Sequence, residues 1–337
     1  MRLPLLSLSL GALLVLATVA CSRGHESGGA SASDGGAKLR IAVIPKGTTH
    51  EFWKSVHAGA VKASRELGVD VVWKGPLKED DLKGQIDVVD SFVAQGVSGI
   101  VVAPLSDKGL TASVRASVSA GIPVVVFDSD LQGDAQSSFV ATDNVAAGRM
   151  AGDELARQMG DTGNVVVLRY QEGSASTAHR EEGFLAAMRD HPNLHVVSDN
   201  QYGGATTESA FATSENLLAA QKAASGAVQG VFAPNESTTF GMLLALRKAN
   251  LAGKVHFVGF DASDKLVKGV RDGAIDALVV QNPFNMGYVS VKTMTSRLRG
   301  QPIEKRIDTG ARVVTRKNLD TPEISELIQP DLKKWLE

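Results

Sequence analysis

The chain has one cysteine in 337 residues, Cys21, so no disulfide can form within it. Its 35 Lys and Arg are interspersed among 37 Asp and Glu, and the absence of a basic stripe argues against a nucleic-acid partner. After residue 20, no uninterrupted apolar run is long enough to cross a bilayer. The sequence contains no HExxH, GxSxG or phosphate-loop motif, which removes the enzyme classes that depend on them.

The first twenty residues have the composition of a secretory leader. Arg2 is followed by the leucine-rich stretch Leu3–Leu16, and small residues precede Cys21. This pattern predicts a signal peptide over residues 1–20. The cysteine directly after it resembles a bacterial lipobox, in which the thiol receives lipid. An ordinary signal peptide that happens to be followed by cysteine is the alternative.

Residues 21–37 are predicted to be a lipidated N-terminus and a flexible linker. Ser22–Ala37 is rich in Gly, Ser and Ala and has almost nothing apolar to bury. One acyl chain binds a membrane only marginally, and the bacterial lipoproteins that this pattern resembles carry several. The expected location is the periplasm or cell surface, with attachment to either the inner or the outer membrane.

From about Lys38 onward, short Val- and Ile-rich runs alternate with segments of helical period. Five runs precede residue 142 and five follow it, beginning with Leu39–Ile44 and Asn164–Leu168 respectively. Strands that are apolar on both faces are typical of parallel sheets covered by helices. Gly68, Gly96 and Gly121 each follow a predicted helix, where a C-terminal cap favours positive φ. The pattern predicts an α/β protein with two doubly wound, Rossmann-like, parallel-sheet lobes joined by a hinge.

The length and the two series of strands suggest a discontinuous division of the body. We expect the N-terminal lobe to contain residues 38–141 and 282–307. The C-terminal lobe should contain residues 142–281 and 308–330. The piece from Asn282 contains another amphipathic helix, is too short to fold alone, and is expected to complete the first lobe.

Polar residues follow many of the apolar runs. Ligands of open parallel sheets bind outside the carboxyl ends of the strands, so these residues are candidates for a site. The candidates after the runs are Lys46, His50, Glu51, Asp128, Glu172, Arg180, Asn235, Glu236, Asp261 and Gln281. Carboxylates accept hydrogen bonds from hydroxyls, whereas Arg and Lys donate to hydroxyl oxygens. This inventory indicates a ligand with many hydroxyl groups.

Seven motifs in order resemble the periplasmic sugar-binding proteins of ABC importers, of the ribose- and arabinose-binding type. These proteins have the type I periplasmic binding protein fold, which the LacI effector domain shares. The resemblance covers nearly all of residues 38–320. The motifs are IPKGTTHEFW, VVVFDSD, ATDNVAAG, TAHREEGF, VFAPNE, VGFDAS and VVQNPFNMG, from Ile44 to Gly287.

The resemblance implies a role for each matching residue. Phe52 and Trp53 match an aromatic pair whose rings flank the sugar. Lys46 matches a lysine of the arabinose branch, and Asp128 and Asp261 match carboxylates that accept from sugar hydroxyls. The other matching positions are Arg180, a planar donor to two oxygens, Asn235, an amide, Gln281, an amide beside the hinge, and His50, a variable polar contact.

Several positions stay open at this level. His50 is as well explained as an exposed residue at the start of a helix, and Glu51, Glu172 and Glu236 have no assigned role. Ser129 stands where many relatives have arginine, which argues against ribose itself. Tyr202 or Ala205 occupies the place of a phenylalanine of ribose receptors.

The expected function is therefore capture of a neutral monosaccharide or polyol by hinge closure, and its delivery to an ABC transporter permease. Lys46 and Arg180 offset Asp128 and Asp261, which favours a neutral ligand. The expected protein is a monomer without a cofactor or metal and is not an enzyme. A receptor for a sugar-like signal, either a furanosyl autoinducer or a chemotaxis ligand, is the alternative. A LacI-type regulator is disfavoured because a leader and linker stand where its DNA-binding domain would be.

Overall fold

Two six-stranded sheets organise residues 38–337, the part of the chain that this computed structural model describes. Cys21 and the predicted leader and linker lie outside the described residues. The first sheet is entirely parallel, with the order β11-β5-β4-β3-β1-β2. Its strands are β1 (Arg40–Ile44), β2 (Asp70–Trp73), β3 (Gly99–Val102), β4 (Val124–Phe127), β5 (Ser138–Ala141) and β11 (Arg306–Asp308). Its helices are α1 (Glu51–Leu67), α2 (Leu82–Ala94), α3 (Thr111–Ser119) and α9 (Pro283–Leu298). We call this sheet with its helices the N-lobe.

The second sheet has the equivalent order β12-β10-β9-β8-β6-β7. Its strands are β6 (Gly163–Arg169), β7 (Leu194–Tyr202), β8 (Gly230–Phe232), β9 (His256–Phe260), β10 (Ala277–Gln281) and β12 (Ala311–Thr315). The associated helices are α4 (Asn144–Met159), α5 (Ala175–Asp190), α6 (Thr207–Ala220), a 3-10 turn (Ala223–Ser225), α7 (Glu236–Lys248), α8 (Asp264–Asp272) and α10 (Pro322–Ile328). We call this assembly the C-lobe. A last short helix, α11 (Lys333–Leu336), follows it.

The predicted fold class is confirmed, with one difference in the second sheet. Strands such as β3 and β4 are buried along their whole length, because apolar clusters cover both faces of each sheet. Gly68, Gly96 and Gly121 have φ of 66°, 63° and 81°, as their predicted capping roles require. The difference is β12, which runs antiparallel to β10 at the edge of its sheet.

Glycines bring the helices of each lobe unusually close together. In the N-lobe, a Cβ on Gly59 of α1 would lie 1.9 Å from the carbonyl oxygen of Phe284 in α9. In the C-lobe, a Cβ on Gly148 of α4 would lie 2.1 Å from the carbonyl oxygen of Arg180 in α5. Only glycine permits these approaches, so each helix pair is fixed by contact between backbones.

The chain passes between the lobes after β5, after β10 and after β11. It returns to the N-lobe once more at its C-terminal end. Ile324 of α10 belongs to the C-lobe core, whereas the guanidinium of Arg65 in α1 donates to the carbonyls of Lys334 and Trp335, each at 3.1 Å. Across residues 38–337, no helix combines the length and the apolar character needed to traverse a bilayer.

Candidate functional site

A narrow cavity of about 30 Å³ lies between the lobes, where the carboxyl ends of their strands face each other. All nine side chains that the sequence singled out as ligand contacts line it. They are Lys46, His50, Phe52, Trp53, Asp128, Arg180, Asn235, Asp261 and Gln281. Five further residues complete the lining: Glu79, Tyr170, Ser176, Thr177 and Glu236. The structure thus gathers the nine residues in one place, and their contact with a ligand stays a prediction.

Lys46, which follows β1, is fully engaged by protein groups. Its ammonium lies 3.1 Å from Asp128 and donates to the hydroxyls of Ser174 and Ser176 at 3.3 and 3.1 Å. An ammonium has three N–H donors, so these partners account for all of them. Because both serines belong to the C-lobe, Lys46 links the lobes as well as neutralising Asp128.

Phe52 and Trp53 form the first turn of α1 and serve two purposes. Their rings meet edge to face, with centroids 4.9 Å apart, and both belong to the N-lobe core. Both also line the cavity. A role in the core and contact with a sugar are therefore compatible, since a ring can have one face in the core and one edge at the cavity.

Arg180 lies on α5 and is 2% exposed. Its Nε donates to Asn144 at 2.8 Å and its Nη1 to the carbonyl of Pro234 at 2.9 Å, while Asp261 lies 4.0 Å away. Its third nitrogen, Nη2, is buried with no hydrogen-bond partner among the described residues. A buried donor without a partner is costly, which marks Nη2 as the natural contact for a ligand oxygen.

Gln281 ends β10, directly before the chain crosses back to the N-lobe. Its Nε2 donates to Asp261 at 2.7 Å, and its Oε1 is buried with no partner within residues 38–337. Asp261 also accepts from the backbone N–H of Glu236 at 3.1 Å. Burial raises the pKa of Asp261, against the opposing charge of Arg180.

Asn235 is the N-cap of α7 and part of a capping box. Its Oδ1 accepts from the backbone N–H of Thr238 at 3.2 Å and from the hydroxyl of Thr238 at 2.6 Å. Asn235 therefore caps a helix and lines the cavity with the same side chain. Its amide nitrogen, which makes one contact of 3.3 Å with Ser237, is the part best placed to serve a ligand.

Glu79 was missed by the sequence reasoning and lies at the centre of a buried network. One carboxylate oxygen accepts from the indole N–H of Trp53 at 2.6 Å and is 2.8 Å from Nδ1 of His50. The other accepts from the hydroxyl of Tyr170, across the cleft. Burial opposes ionisation of Glu79, but the bond and charge of His50 outweigh it and lower the pKa of Glu79 to about 2.

Two glutamates that the sequence left unassigned connect the lobes reciprocally. Glu236, at the start of α7, accepts from the backbone N–H groups of Glu51 and Phe52 at the start of α1, at 3.4 and 3.1 Å. Glu51 in turn accepts from the backbone N–H of Asp264 at the start of α8, at 3.1 Å. Helix N-termini favour such negative partners. Burial nevertheless raises the pKa of Glu236 to about 7.

Other candidates lie away from the cavity. Glu172 is exposed, and Tyr202 is 42% exposed beside the guanidinium of Arg169. Ala205 is buried but does not line the cavity. The missed residues were hard to find in the sequence: Glu79 belongs to a polar stretch with Asp80 and Asp81 that is typical of a solvated loop.

A larger groove of about 660 Å³ lies beside the crossing segments, between α9, β12 and the C-terminal helices. Its charged walls include Arg312 and Glu323, which are exposed and paired with each other at 3.1 Å. The smaller cavity concentrates the buried charged side chains and includes the buried, unpartnered Nη2 of Arg180, and on that ground it is the stronger candidate for a ligand site.

Comparison with known proteins identifies the family. Residues 41–302 match the periplasmic binding protein domain. A ribose import binding protein of Haemophilus influenzae is 30% identical over 286 residues, which are 85% of this chain and 94% of that protein.

Solved structures show the same similarity. A carbohydrate transporter solute-binding protein of Agrobacterium radiobacter in complex with D-arabinose is 34% identical, with a TM-score of 0.82 over 87% of this chain and 99% of that one. An ABC transporter solute-binding protein of Agrobacterium vitis with bound D-fucose is also 34% identical, with a TM-score of 0.81 over 86% of this chain and 99% of that one.

Proposed function

The chain belongs to the periplasmic binding protein domain family, as a sugar-binding protein of the ribose and arabinose type, and we propose that it captures a neutral monosaccharide or polyol by hinge closure. The ligand is released unaltered to the permease of an ABC transporter. The relatives named above are described with ribose, D-arabinose and D-fucose, all of them neutral sugars.

One observation carries the choice of a polyhydroxylated ligand. Nη2 of Arg180 can only donate and Oε1 of Gln281 can only accept, and both are buried without partners among the described residues. A sugar hydroxyl both donates and accepts, so a ligand with several hydroxyls satisfies both atoms at once. The rings of Phe52 and Trp53 would cover its apolar C–H face.

The balance of charge supports a neutral ligand. Each cation of the cavity has a carboxylate neighbour: Lys46 has Asp128, His50 has Glu79, and Arg180 has Asp261. The remaining carboxyl group belongs to Glu236, whose pKa of about 7 leaves it partly protonated at neutral pH. Among the described residues, each cation that lines the cavity already has a carboxylate within 4.0 Å, so none is free to pair with a sugar acid.

Hinge closure accounts for how a ligand would enter. The cavity of about 30 Å³ is smaller than a monosaccharide of about a dozen non-hydrogen atoms. Contacts such as Lys46 with Ser176 and Tyr170 with Glu79 join the lobes across it. We propose that these contacts separate to admit the sugar and re-form around it, so that the ligand stabilises the closed arrangement.

Attachment to a membrane through Cys21 belongs to the same proposal. It rests on the leader of residues 1–20 and on the linker of residues 22–37. Metabolic labelling with a fatty acid should mark the wild-type chain, whereas Cys21→Ser should stay unlabelled. Labelling of the serine variant would remove Cys21 as the lipid attachment site.

A ligand screen tests the proposed function. The full chain, purified in detergent, is to be melted in the presence of pentoses, hexoses, alditols, uronic acids and furanosyl signals. A neutral sugar or alditol should raise the melting temperature by mass action, and mass spectrometry should recover it unaltered. Stabilisation by a uronic acid alone would overturn the proposed ligand class, stabilisation by a furanosyl signal alone would favour the receptor alternative, and a chemically altered sugar would indicate an enzyme.

A further inference from the structure

Glu79 lies in the loop between β2 and α2, yet its side chain is 7% exposed. Its carboxylate has three neighbours: the indole N–H of Trp53, Nδ1 of His50 and the hydroxyl of Tyr170. Trp53 and His50 belong to the N-lobe, and Tyr170 follows β6 of the C-lobe. An ionised carboxylate accepts bonds and donates none, so its three neighbours are held as donors.

Gly47 gives Glu79 the space to reach this position. A Cβ on Gly47 would lie 2.9 Å from Cγ of Glu79. The backbone of Glu79 is held as well, because its carbonyl accepts from the amide of Gln171 at 3.2 Å. The loop therefore delivers the carboxylate to one fixed place, beside the N-cap of α1.

His50, the N-cap residue of α1, gains a defined orientation from this carboxylate. Glu79 is the one carboxylate within ion-pair distance of His50 among the described residues, and it lies at Nδ1. The second nitrogen, Nε2, is left for another partner on a side chain that lines the cavity, where it accepts in the neutral ring and donates in the imidazolium. A carboxylate on one ring nitrogen commonly fixes the state of the other.

The surroundings of His50 support a charged ring. Burial disfavours the imidazolium, but the hydrogen bond and charge of Glu79, with smaller contributions from Glu236 and Asp261, raise the pKa of His50 to about 9. The charge of Lys46, which also lines the cavity, helps to keep Glu79 ionised beside the ring. His50 is therefore protonated across the neutral range.

We propose that Glu79 is a positioning residue of the sugar site, which holds His50 as an imidazolium whose Nε2–H donates to an oxygen of the ligand. This inference rests on the proposed function. A charged donor forms a shorter and stronger bond to a hydroxyl or ring oxygen than a neutral one. Glu79 thus favours a ligand with an acceptor oxygen beside His50. It acts through the orientation and charge of His50, which makes the contact with the ligand.

The first part of the test needs no sugar. The pKa of His50 is to be measured by NMR in the ligand-free chain, for wild type, Glu79→Gln and the control Asp80→Asn. Asp80 is exposed and adjacent, so Asp80→Asn removes an equal charge without touching the network. We expect the pKa of His50 to fall toward its ordinary value in Glu79→Gln alone. An unchanged pKa in Glu79→Gln would refute the positioning role.

The second part uses the sugar identified by the screen, titrated at pH 8 and at pH 5.5. At pH 8 the Glu79→Gln variant should bind about tenfold more weakly than wild type, because neutral His50 no longer offers a fixed charged donor. At pH 5.5 the imidazole of His50 is protonated even in the absence of Glu79. The difference in affinity between wild type and Glu79→Gln should therefore narrow to about threefold or less. A loss of affinity that is equal at both pH values would indicate a merely structural role.

A second variant assigns the pH effect to His50. Adding His50→Gln to Glu79→Gln should abolish the recovery at pH 5.5, since no imidazole remains to be protonated. Recovery in the double variant would assign the effect to another group, such as Glu236, and overturn the inference. Absence of sugar binding by wild type at either pH would instead contradict the proposed function, and the NMR result would still decide whether Glu79 controls His50.

Discussion

The two lobes end their fourth strands in the same way but neutralise the resulting carboxylates differently. Asp128 follows β4 and Asp261 follows β9, with left-handed φ of 61° and 65°. Asp128 has an ammonium 3.1 Å away, whereas the nearest cation of Asp261 is 4.0 Å away. Left-handed backbone costs energy in a residue other than glycine, so its repetition indicates that both lobes need a carboxylate aimed into the cleft.

The consequence is a division of work between the lobes. Lys46 pairs with Asp128 and donates its other hydrogen bonds to the hydroxyls of Ser174 and Ser176. In the C-lobe and at its crossing point, Arg180 and Gln281 keep one buried polar atom each without a partner among the described residues. The N-lobe thus presents aromatic rings, the paired charges of Lys46 and Asp128, and the imidazole of His50, whereas the C-lobe side presents the two buried polar atoms without partners among the described residues.

The largest expected difference between the lobes lies in stability. Asp128→Asn removes the one carboxylate within ion-pair distance of the buried ammonium of Lys46 among the described residues, and it should destabilise the fold by about 3–5 kcal/mol. Asp261→Asn should cost clearly less, because Arg180 lies 4.0 Å away and keeps its bonds to Asn144 and Pro234, and because burial already disfavours the ionised form of Asp261. Urea unfolding of both variants measures the two losses. Equal losses would mean that the two aspartates are neutralised equally well.

The close helix pairs allow a second test. Gly148→Ala and Gly59→Ala each force a Cβ against a backbone carbonyl and should each cost about 1–3 kcal/mol. Only Gly148→Ala presses on the carbonyl of Arg180 itself, so it should also weaken sugar binding. Calorimetry next to thermal melting separates the two effects. Similar affinities in both variants would show that the position of α5 does not limit recognition.

Gln281→Leu tests the polar atoms directly, with a smaller expected effect. The substitution removes the acceptor Oε1 and the donor to Asp261 while it keeps the volume similar. We expect sugar affinity to fall by about tenfold, the usual scale for one buried hydrogen bond. Isothermal calorimetry measures the change. Wild-type affinity in this variant would remove Gln281 from the site.

The smallest expected effect concerns pH and the contact of Glu236 with α1. In the closed form Glu236 has a pKa of about 7, above its ordinary 4.5, so this form holds the proton more firmly than a solvated glutamate does. Between these values, lower pH favours closure and higher pH opposes it. Sugar affinity should therefore weaken several-fold from pH 5 to pH 7.5.

Glu236→Gln is the matched control for this prediction. The amide oxygen can still accept from the N–H groups of Glu51 and Phe52, but it does not titrate. Its affinity profile between pH 5 and pH 7.5 should be flatter than that of wild type. A profile as steep as wild type would assign the pH dependence to His50 or Asp261, which also face Glu236.

The fold was predictable because its signals are local. Runs such as Val124–Phe127 are apolar on both faces, and glycines such as Gly68 mark the ends of helices. Parallel sheets then bring the strand ends together, which is why the nine candidate residues share one cavity. The antiparallel β12 was not predicted, since its partly exposed sequence has no signal for strand direction.

The remainder of the site depends on contacts between distant segments. Glu79 is buried because Tyr170 and Gln171 of the other lobe cover its loop, and no feature of residues 74–81 reveals that partner. The double use of Asn235, as a helix cap and as a cavity wall, is likewise invisible in the sequence. Both cases arise from the approach of the two lobes, which is a property of the tertiary structure.

The return of the chain to the N-lobe at its C-terminal end limits how far the cleft can open. Ile328 ends α10 on the C-lobe, and Lys333 begins α11, which is held by Arg65 of the N-lobe. Five residue steps span at most about 18 Å when fully extended. While the hydrogen bonds from Arg65 persist, Ile328 and Lys333 cannot separate beyond this distance. The final residues therefore limit how far the two lobes can rotate apart.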